Sequence, residues 1–185
     1  MNYEDYKNAR DAAWKILIDC QVVELPVRIS TMCRQLGIPV RRHELQDSAG
    51  DGMSILVNGT PLILVRASNS PQRQRFTAAH ELGHILLGHV GKYELINREP
   101  DSGDNPIEQA ANVFASRLLA PACVLWGCGA KTPEHIMELC GISRQAAEFR
   151  AARMELLYQR QKFLASPLEK QVYTQFLPYI HKHRL

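Results

Sequence analysis

Patterned cysteine is missing from this chain. Its 185 residues include 5 cysteines, at Cys20, Cys33, Cys123, Cys128 and Cys140. The number is odd and no two form C-x-x-C, which argues against a disulfide framework. A metal site through Cys123 and Cys128 lacks a histidine at useful spacing and is not expected. Excess charge is missing too. The 22 Lys and Arg against 19 Asp and Glu leave +3, too little to imply nucleic acid by itself. No run approaches the roughly 18 apolar residues of a membrane span. The opening Met1-Asn2-Tyr3-Glu4-Asp5 is polar and acidic, without the apolar core of a secretory signal. No internal repeat or low-complexity segment is visible. These absences lead us to expect a cytoplasmic setting, reduced thiols and no membrane partner. What is present is ordinary globular composition, 45% hydrophobic and 22% charged, in a length that suits one domain with a sizeable core.

The chemistry concentrates in Phe76–His89, F-T-A-A-H-E-L-G-H-I-L-L-G-H. Within it, His80-Glu81-Leu82-Gly83-His84 is H-E-x-x-H. On a helix, residues four apart stack on one face. Two neutral imidazoles so placed take neighbouring corners of a tetrahedral zinc site. Glu81 points about 100° round the helix from His80. There it stands beside the metal without binding it, the place for a general base acting on a zinc-bound water. Chance alone yields this motif in about 2% of chains with these His and Glu frequencies, so context has to carry the reading. Ser70 is a cap and Pro71 fits the first helical turn. Gly91 is the expected end. The flanking residues are apolar or small, and a buried core helix with two satisfied histidines is the alternative. Such a helix would need partners for three buried polar groups, which is costly without a metal.

The rest of the chain reads in order. Residues 3–20 form an amphipathic helix, with Tyr6, Ala9, Ala13, Ile16 and Leu17 at helical spacing. A short helix over about 29–36 stops at Gly37. Residues 38–42 look extended, an edge strand given Pro39. After a loop at 47–52, the runs 53–57 and 61–66 flank Asn58-Gly59, a hairpin signal. Leu62–Val65 is nearly continuously apolar, so this strand is expected to be covered on both faces. It leads into the H-E-x-x-H helix and could accept an extended peptide by strand addition. Residues up to Asp104 are polar and loop-like. A further helix opens at Asn105-Pro106 and runs to Leu119, ended by Pro121. Residues 122–131 are expected to be irregular. Helix resumes from Thr132 to about Gln161, broken near Gly141-Ile142-Ser143, and a last helix covers about 168–181.

A catalytic zinc usually has three protein ligands and a water in the fourth position. His89 lies five residues after His84, about 140° round a continuous helix, and so faces away. Asp101 and Asp104 stay open as ligands. Glu108 is the better candidate, on a helix whose Ala110, Ala111 and Ala115 would let it pack close to Gly83 and Gly88. Glu108 also stands three residues after Asn105, where a capping-box partner belongs. Asn112, four residues on, would hydrogen-bond an imidazole of His80 or His84 and fix its orientation. For the oxyanion, Tyr93 and His89 are the nearest donors in sequence; neither is assigned.

The two motifs together, Phe76–His89 and E-x-x-A-N-x-F-A-x-x-L-L-x-P at Glu108–Pro121, resemble the ImmA/IrrE family of metallopeptidases. The resemblance covers roughly residues 1–120. It implies an α+β fold: a mostly helical zincin-like domain with a small sheet in the N-terminal half bordering the active-site helix. It implies one zinc ion held by His80, His84 and Glu108, with Glu81 as catalytic base. It implies an intracellular endopeptidase cleaving a helix-turn-helix repressor of the Cro type, so that mobile-element or stress genes are switched on. The second motif ends Leu118-Leu119-Ala120-Pro121, where family members often have Met before the proline. We expect residues 1–125 to be the peptidase core and 126–185 a helical extension packed on the same domain.

Two other classes stay in view. Residues 134–150, with Gly141-Ile142-Ser143 between helices, resemble a helix-turn-helix. Residues 131–185 carry 9 Lys and Arg against 5 Asp and Glu, so a DNA-binding regulator is one alternative. Glu148 and Glu155 interrupt its basic face, and direct nucleic-acid binding is not expected. The other alternative is a zinc-binding interaction module that grips a protein without cutting it.

Overall fold

The computed structural model describes residues 1–44, 50–90 and 105–184. The fold is α+β and mostly helical, with one three-stranded sheet among the described residues. The chain divides into two compact units. The first is Met1–Ala12 with Arg28–Ala115; the second is Ala13–Val27 with Ser116–Leu185. The boundaries fall inside helix α1 (Tyr3–Asp19) and helix α4 (Pro106–Leu119).

In the first unit, helix α2 (Ile29–Gln35) stops where Gly37 takes a positive φ. Strands β1 (Val40–His43), β2 (Gly52–Val57) and β3 (Thr60–Arg66) follow in the order β1-β3-β2. Asn58 and Gly59, both at positive φ, join β2 to β3 in the expected tight antiparallel hairpin. β1 is an edge, as expected, paired parallel to β3. The central strand corrects one expectation. Ile63 and Val65 are buried, but Leu62 and Leu64 are only half-buried, so one face of β3 is covered and the other partly open. A period-2 strand with a single helix layer has this pattern. Strand addition also cannot occur on β3 itself, because both of its edges are paired; only outer edges such as that of β2 are available to it.

Helix α3 (Pro71–Leu86) packs on the covered face, against β2 and β3, and also touches α2. Ser70 caps it by accepting from the Arg73 backbone N–H, and Pro71 begins it. Asp51, just before β2, accepts from Asn69 and pairs with Arg73, tying the sheet to the start of α3. Burial alone would raise the Asp51 pKa, but these bonds and the Arg73 charge hold its carboxyl below the usual range. The far end of α3 departs from expectation. Leu87 is the C-cap and Gly88 turns left-handed at φ 72, so the helix stops before Gly91, which lies outside the described residues, as do the loop residues 91–104. Helix α4 starts at Pro106 as expected, with Asn105 Oδ1 accepting from the Ile107 backbone N–H.

In the second unit, residues 122–131 are not irregular throughout: Ala122–Gly127 is helix α5. Its apolar run Ala122–Leu125 is wholly buried, and packing outweighs the nearby glycines. Helices α6 (Pro133–Cys140) and α7 (Arg144–Gln159) are capped by Thr132 and Ser143, with Gly141 left-handed between them. The last expected helix is two, α8 (Pro167–Gln175) and α9 (Leu177–His183), separated at Phe176. Pro178 lacks the N–H that a continuous ladder needs. Gln175 donates to the backbone carbonyls of Leu17 and Val22, fastening the end of α1 to α8. Contrary to the expectation that no stretch would qualify, Pro106–Gly127 has the length and apolar composition of a membrane span, yet most of it is buried inside the protein, as in a core helix.

Candidate metal centre

The site lies within the first unit and rests on two helices and one strand. His80 and His84 come from one face of α3, one turn apart, with Nε2 atoms 3.0 Å from each other. Glu108 enters from the first turn of α4. Its Oε2 is 3.1 Å from His80 Nε2 and its Oε1 is 3.3 Å from His84 Nε2. One ligand atom from each of the three lies within 4.8 Å of the others. Both carboxylate oxygens therefore turn to the histidines. The hydrogen bonds from His80, then from His84, hold the Glu108 carboxyl far below the usual carboxylate range, so it is an anion.

The approach of α4 to α3 depends on one missing side chain. A Cβ on Gly83 would come within 2.9 Å of Phe114 Cδ1. Phe114 is fully buried, so Gly83 admits an aromatic ring. α4 does come close to Gly83, as expected, with Phe114 as the residue that meets it, while Gly88 lies past the end of α3.

The donor set fits a metal on its own chemistry. Two imidazole nitrogens and an ionised carboxylate converge, and a borderline divalent ion such as zinc takes this set with an open position left for water. His84 is nearly fully buried. Three polar groups at these distances are costly to bury unless an ion or shared protons lie between them.

The surrounding polar atoms address each member. Asn112 Oδ1 is 3.0 Å from His80 Nδ1, on the ring edge away from the convergence point. His84 Nδ1 is 3.1 Å from His89 Nδ1. Glu81 stands outside the three-residue group and is 2% exposed. Its Oε2 accepts from Ser54 Oγ at 2.9 Å. Ser54 and Gly52 share the face of β2 that looks at α3, opposite Ile63 and Val65. At Gly52 an added Cβ would meet Thr77 Cγ2 at 2.3 Å and the Leu64 carbonyl at 2.8 Å. The strand thus approaches α3 closely enough for Ser54 to reach Glu81.

The structure brings His80, His84, Glu108 and Asn112 together, with Glu81 next to His80 on α3. Sequence reading missed Ser54 and the contact of His89 with His84, though it left His89 out of the ligand set, as the three-residue group does. The signal for Ser54 was Gly52, two residues earlier on the same face. The signal for His89 was Gly88, which redirects the chain before His89's helical bearing applies. Tyr93, Asp101 and Asp104 lie outside the described residues. On the α6–α7 pair, Arg144 is ion-paired with Glu134 at 2.9 Å and Arg150 is buried.

Comparison with known proteins gives a family. The peptidase M78 family, described as the IrrE N-terminal-like domain, matches residues 33–152, about two thirds of the chain. The chain is similar to the radiation response metalloprotease IrrE of Deinococcus deserti, 41% identical over 66 residues, which is 33% of this chain and 23% of that protein. It is similar to the protein of the same name from Deinococcus radiodurans, 36% identical over 69 residues, 35% of this chain and 20% of that one. The likeness thus spans less than a quarter of those relatives' length. Because the family match takes in H-E-x-x-H, Glu108 and Asn112 in one continuous span, this chain belongs to the ImmA/IrrE family of metallopeptidases.

Proposed function

We propose that this chain is a zinc-dependent intracellular endopeptidase whose substrate is a helix-turn-helix repressor of the Cro type, and that cleavage derepresses mobile-element or stress genes. The observation that carries the enzymatic reading is the convergence of His80, His84 and Glu108 within 4.8 Å, with buried Glu81 beside them. The substrate follows from the family resemblance. Five free cysteines support a reducing compartment.

His80, His84 and Glu108 would hold the zinc. When bound, it supplies Lewis acidity, which acidifies a water and polarises a peptide carbonyl. Glu81 takes a proton from the attacking water as the C–O bond forms, and passes it to the amide nitrogen as the C–N bond breaks. Ser54, donating to Glu81 Oε2, fixes the angle of that carboxylate. Asn112, accepting from His80 Nδ1–H, would leave the His80 Nε2 lone pair free for the zinc.

The test incubates the purified chain with a helix-turn-helix repressor encoded beside it, with and without a chelator. Cleavage that stops with chelator and returns with zinc is expected. Glu81→Gln should keep its zinc and lose at least about 100-fold in cleavage, the usual contribution of a general base. Cleavage by that variant at the normal rate would remove Glu81 from the role.

A further inference from the structure

His89 leaves the helix before its side chain is set. α3 ends at Leu86. Gly88, at φ 72, reverses the chain. Its N–H donates to the Ile85 carbonyl at 3.1 Å, and that of His89 donates to the His84 carbonyl at 2.9 Å. This paired closure brings the His89 ring beside the His84 ring, with centroids 5.2 Å apart and planes at 66°. The two Nδ1 atoms are 3.1 Å apart, so one donates and the other accepts.

We infer that His89 is a positioning residue for His84: its Nδ1 accepts the His84 Nδ1–H and thereby keeps the His84 Nε2 lone pair aimed at the metal position. This rests on the metal-site reading above. The two nitrogens of His84 have unlike surroundings. Nε2 looks at His80 Nε2 and at Glu108. Without an ion Nε2 can donate to Glu108; to bind a metal it must present its lone pair, which puts the proton on Nδ1. His84 is only 3% exposed, so that N–H needs a protein acceptor. His89 supplies it only as the tautomer that carries its own proton on Nε2. His80 receives the same service from the Asn112 amide oxygen, so each histidine is oriented from outside by a different chemistry. His89 is not a ligand, because it faces the edge of His84 opposite to Glu108.

The test is zinc binding to the metal-free full chain, in competition with a chromogenic chelator. Loss of such an orienting partner usually costs about 10- to 100-fold in metal affinity, and His89→Ala and His89→Phe should each lose that much. His89→Asn places an amide oxygen near the position of Nδ1 and should recover most of the loss. Through-hydrogen-bond ¹⁵N–¹⁵N coupling spectra of the zinc-loaded protein should show the His84 Nδ1–H bonded to His89 Nδ1 in the wild type, and no such coupling in His89→Ala. Wild-type zinc affinity in folded His89→Ala, or no coupling between His84 Nδ1 and His89 Nδ1 in the zinc-loaded wild type, overturns the inference. The spectrum of the wild type decides the matter even where a variant fails to fold. Controls separate the two levels. If His84→Ala and Glu108→Ala bind zinc as the wild type does, the metal site itself is wrong. If they lose zinc while His89→Ala and His89→Phe keep it, only the role of His89 fails.

Discussion

At the scale of single residues, the site consists of groups held at both ends. Glu81 is the clearest case. A carboxyl group with 2% exposure is tolerated only where hydrogen bonds replace water, and Ser54 supplies one. A hydrogen bond of this kind is worth about 0.5–1.5 kcal/mol. Ser54→Ala should therefore slow peptide cleavage by roughly 2- to 12-fold. Zinc affinity should not change, because Ser54 does not touch His80, His84 or Glu108. Steady-state cleavage and chelator competition on one preparation check both halves, and a fall in zinc affinity matching the fall in rate would show a general disturbance of α3. The two histidines were legible in the sequence because helical spacing is a fixed rule; Glu108 rested more on the family resemblance than on spacing. Ser54 was not legible. It sits 27 residues from Glu81 in a strand, and strand alternation does not say which face meets α3.

At the scale of elements, what matters is how near β2 and α4 come to α3, and a glycine sets each distance. Gly52 is the tighter contact, since its missing Cβ would overlap Thr77 Cγ2 and press on the Leu64 carbonyl. Thr77 is buried and the carbonyl belongs to the paired strand, so neither yields easily. Gly52→Ala should cost about 1–3 kcal/mol, the usual range for overpacking. For a chain of this size that lowers the melting temperature by roughly 2–12 °C. Adding Thr77→Ser removes the overlapping methyl and should return part of the loss, and calorimetry of the single and double variants reads this directly. If Gly52→Ala melts with the wild type, the strand is not pinned where the structure puts it. Elements with a local chemical signal were legible, such as the Asn58-Gly59 hairpin and the Ser70-Pro71 start of α3. The break between α8 and α9 was also written in the sequence, by Pro178. The end of α3 was misread because two glycines compete there, and only the closure onto Ile85 and His84 selects Gly88. α5 was missed because burial of Ala122–Leu125, a tertiary effect, overrides nearby helix-breaking residues.

At the scale of the whole molecule, the two units are assembled from segments distant in sequence. Residues 13–27 join a body built mostly from 116–185, where Gln175 closes on Leu17 and Val22. No periodicity reports such long-range assembly, so a sequence reading sees only consecutive blocks. The thiols give an independent probe of each unit. Cys33 is buried in the first; Cys123, Cys128 and Cys140 are buried in the second, where Cys20 is half-exposed. Burial pushes the Cys123 thiol up to about 12 and that of Cys128 to about 11, so neither supplies thiolate near neutrality. Cys20 is also raised, by burial and by Asp19 beside it, but reagent can reach it. Iodoacetamide should therefore add slowly at Cys20 alone in the native protein, and at all five thiols once guanidinium chloride unfolds it, counted by intact mass. Zinc extends the experiment to the site. Ions at about 100 times the dissociation constant stabilise a binding-competent fold by about 2.7 kcal/mol. Cys33, in the unit that holds His80, His84 and Glu108, should then need more denaturant before it is labelled. Variants lacking Glu108 should show no such shift. Native labelling at Cys123 or Cys140 would mean that the second core opens readily. A Cys33 midpoint unmoved by zinc in the wild type would mean that the ion is not taken up by the folded first unit.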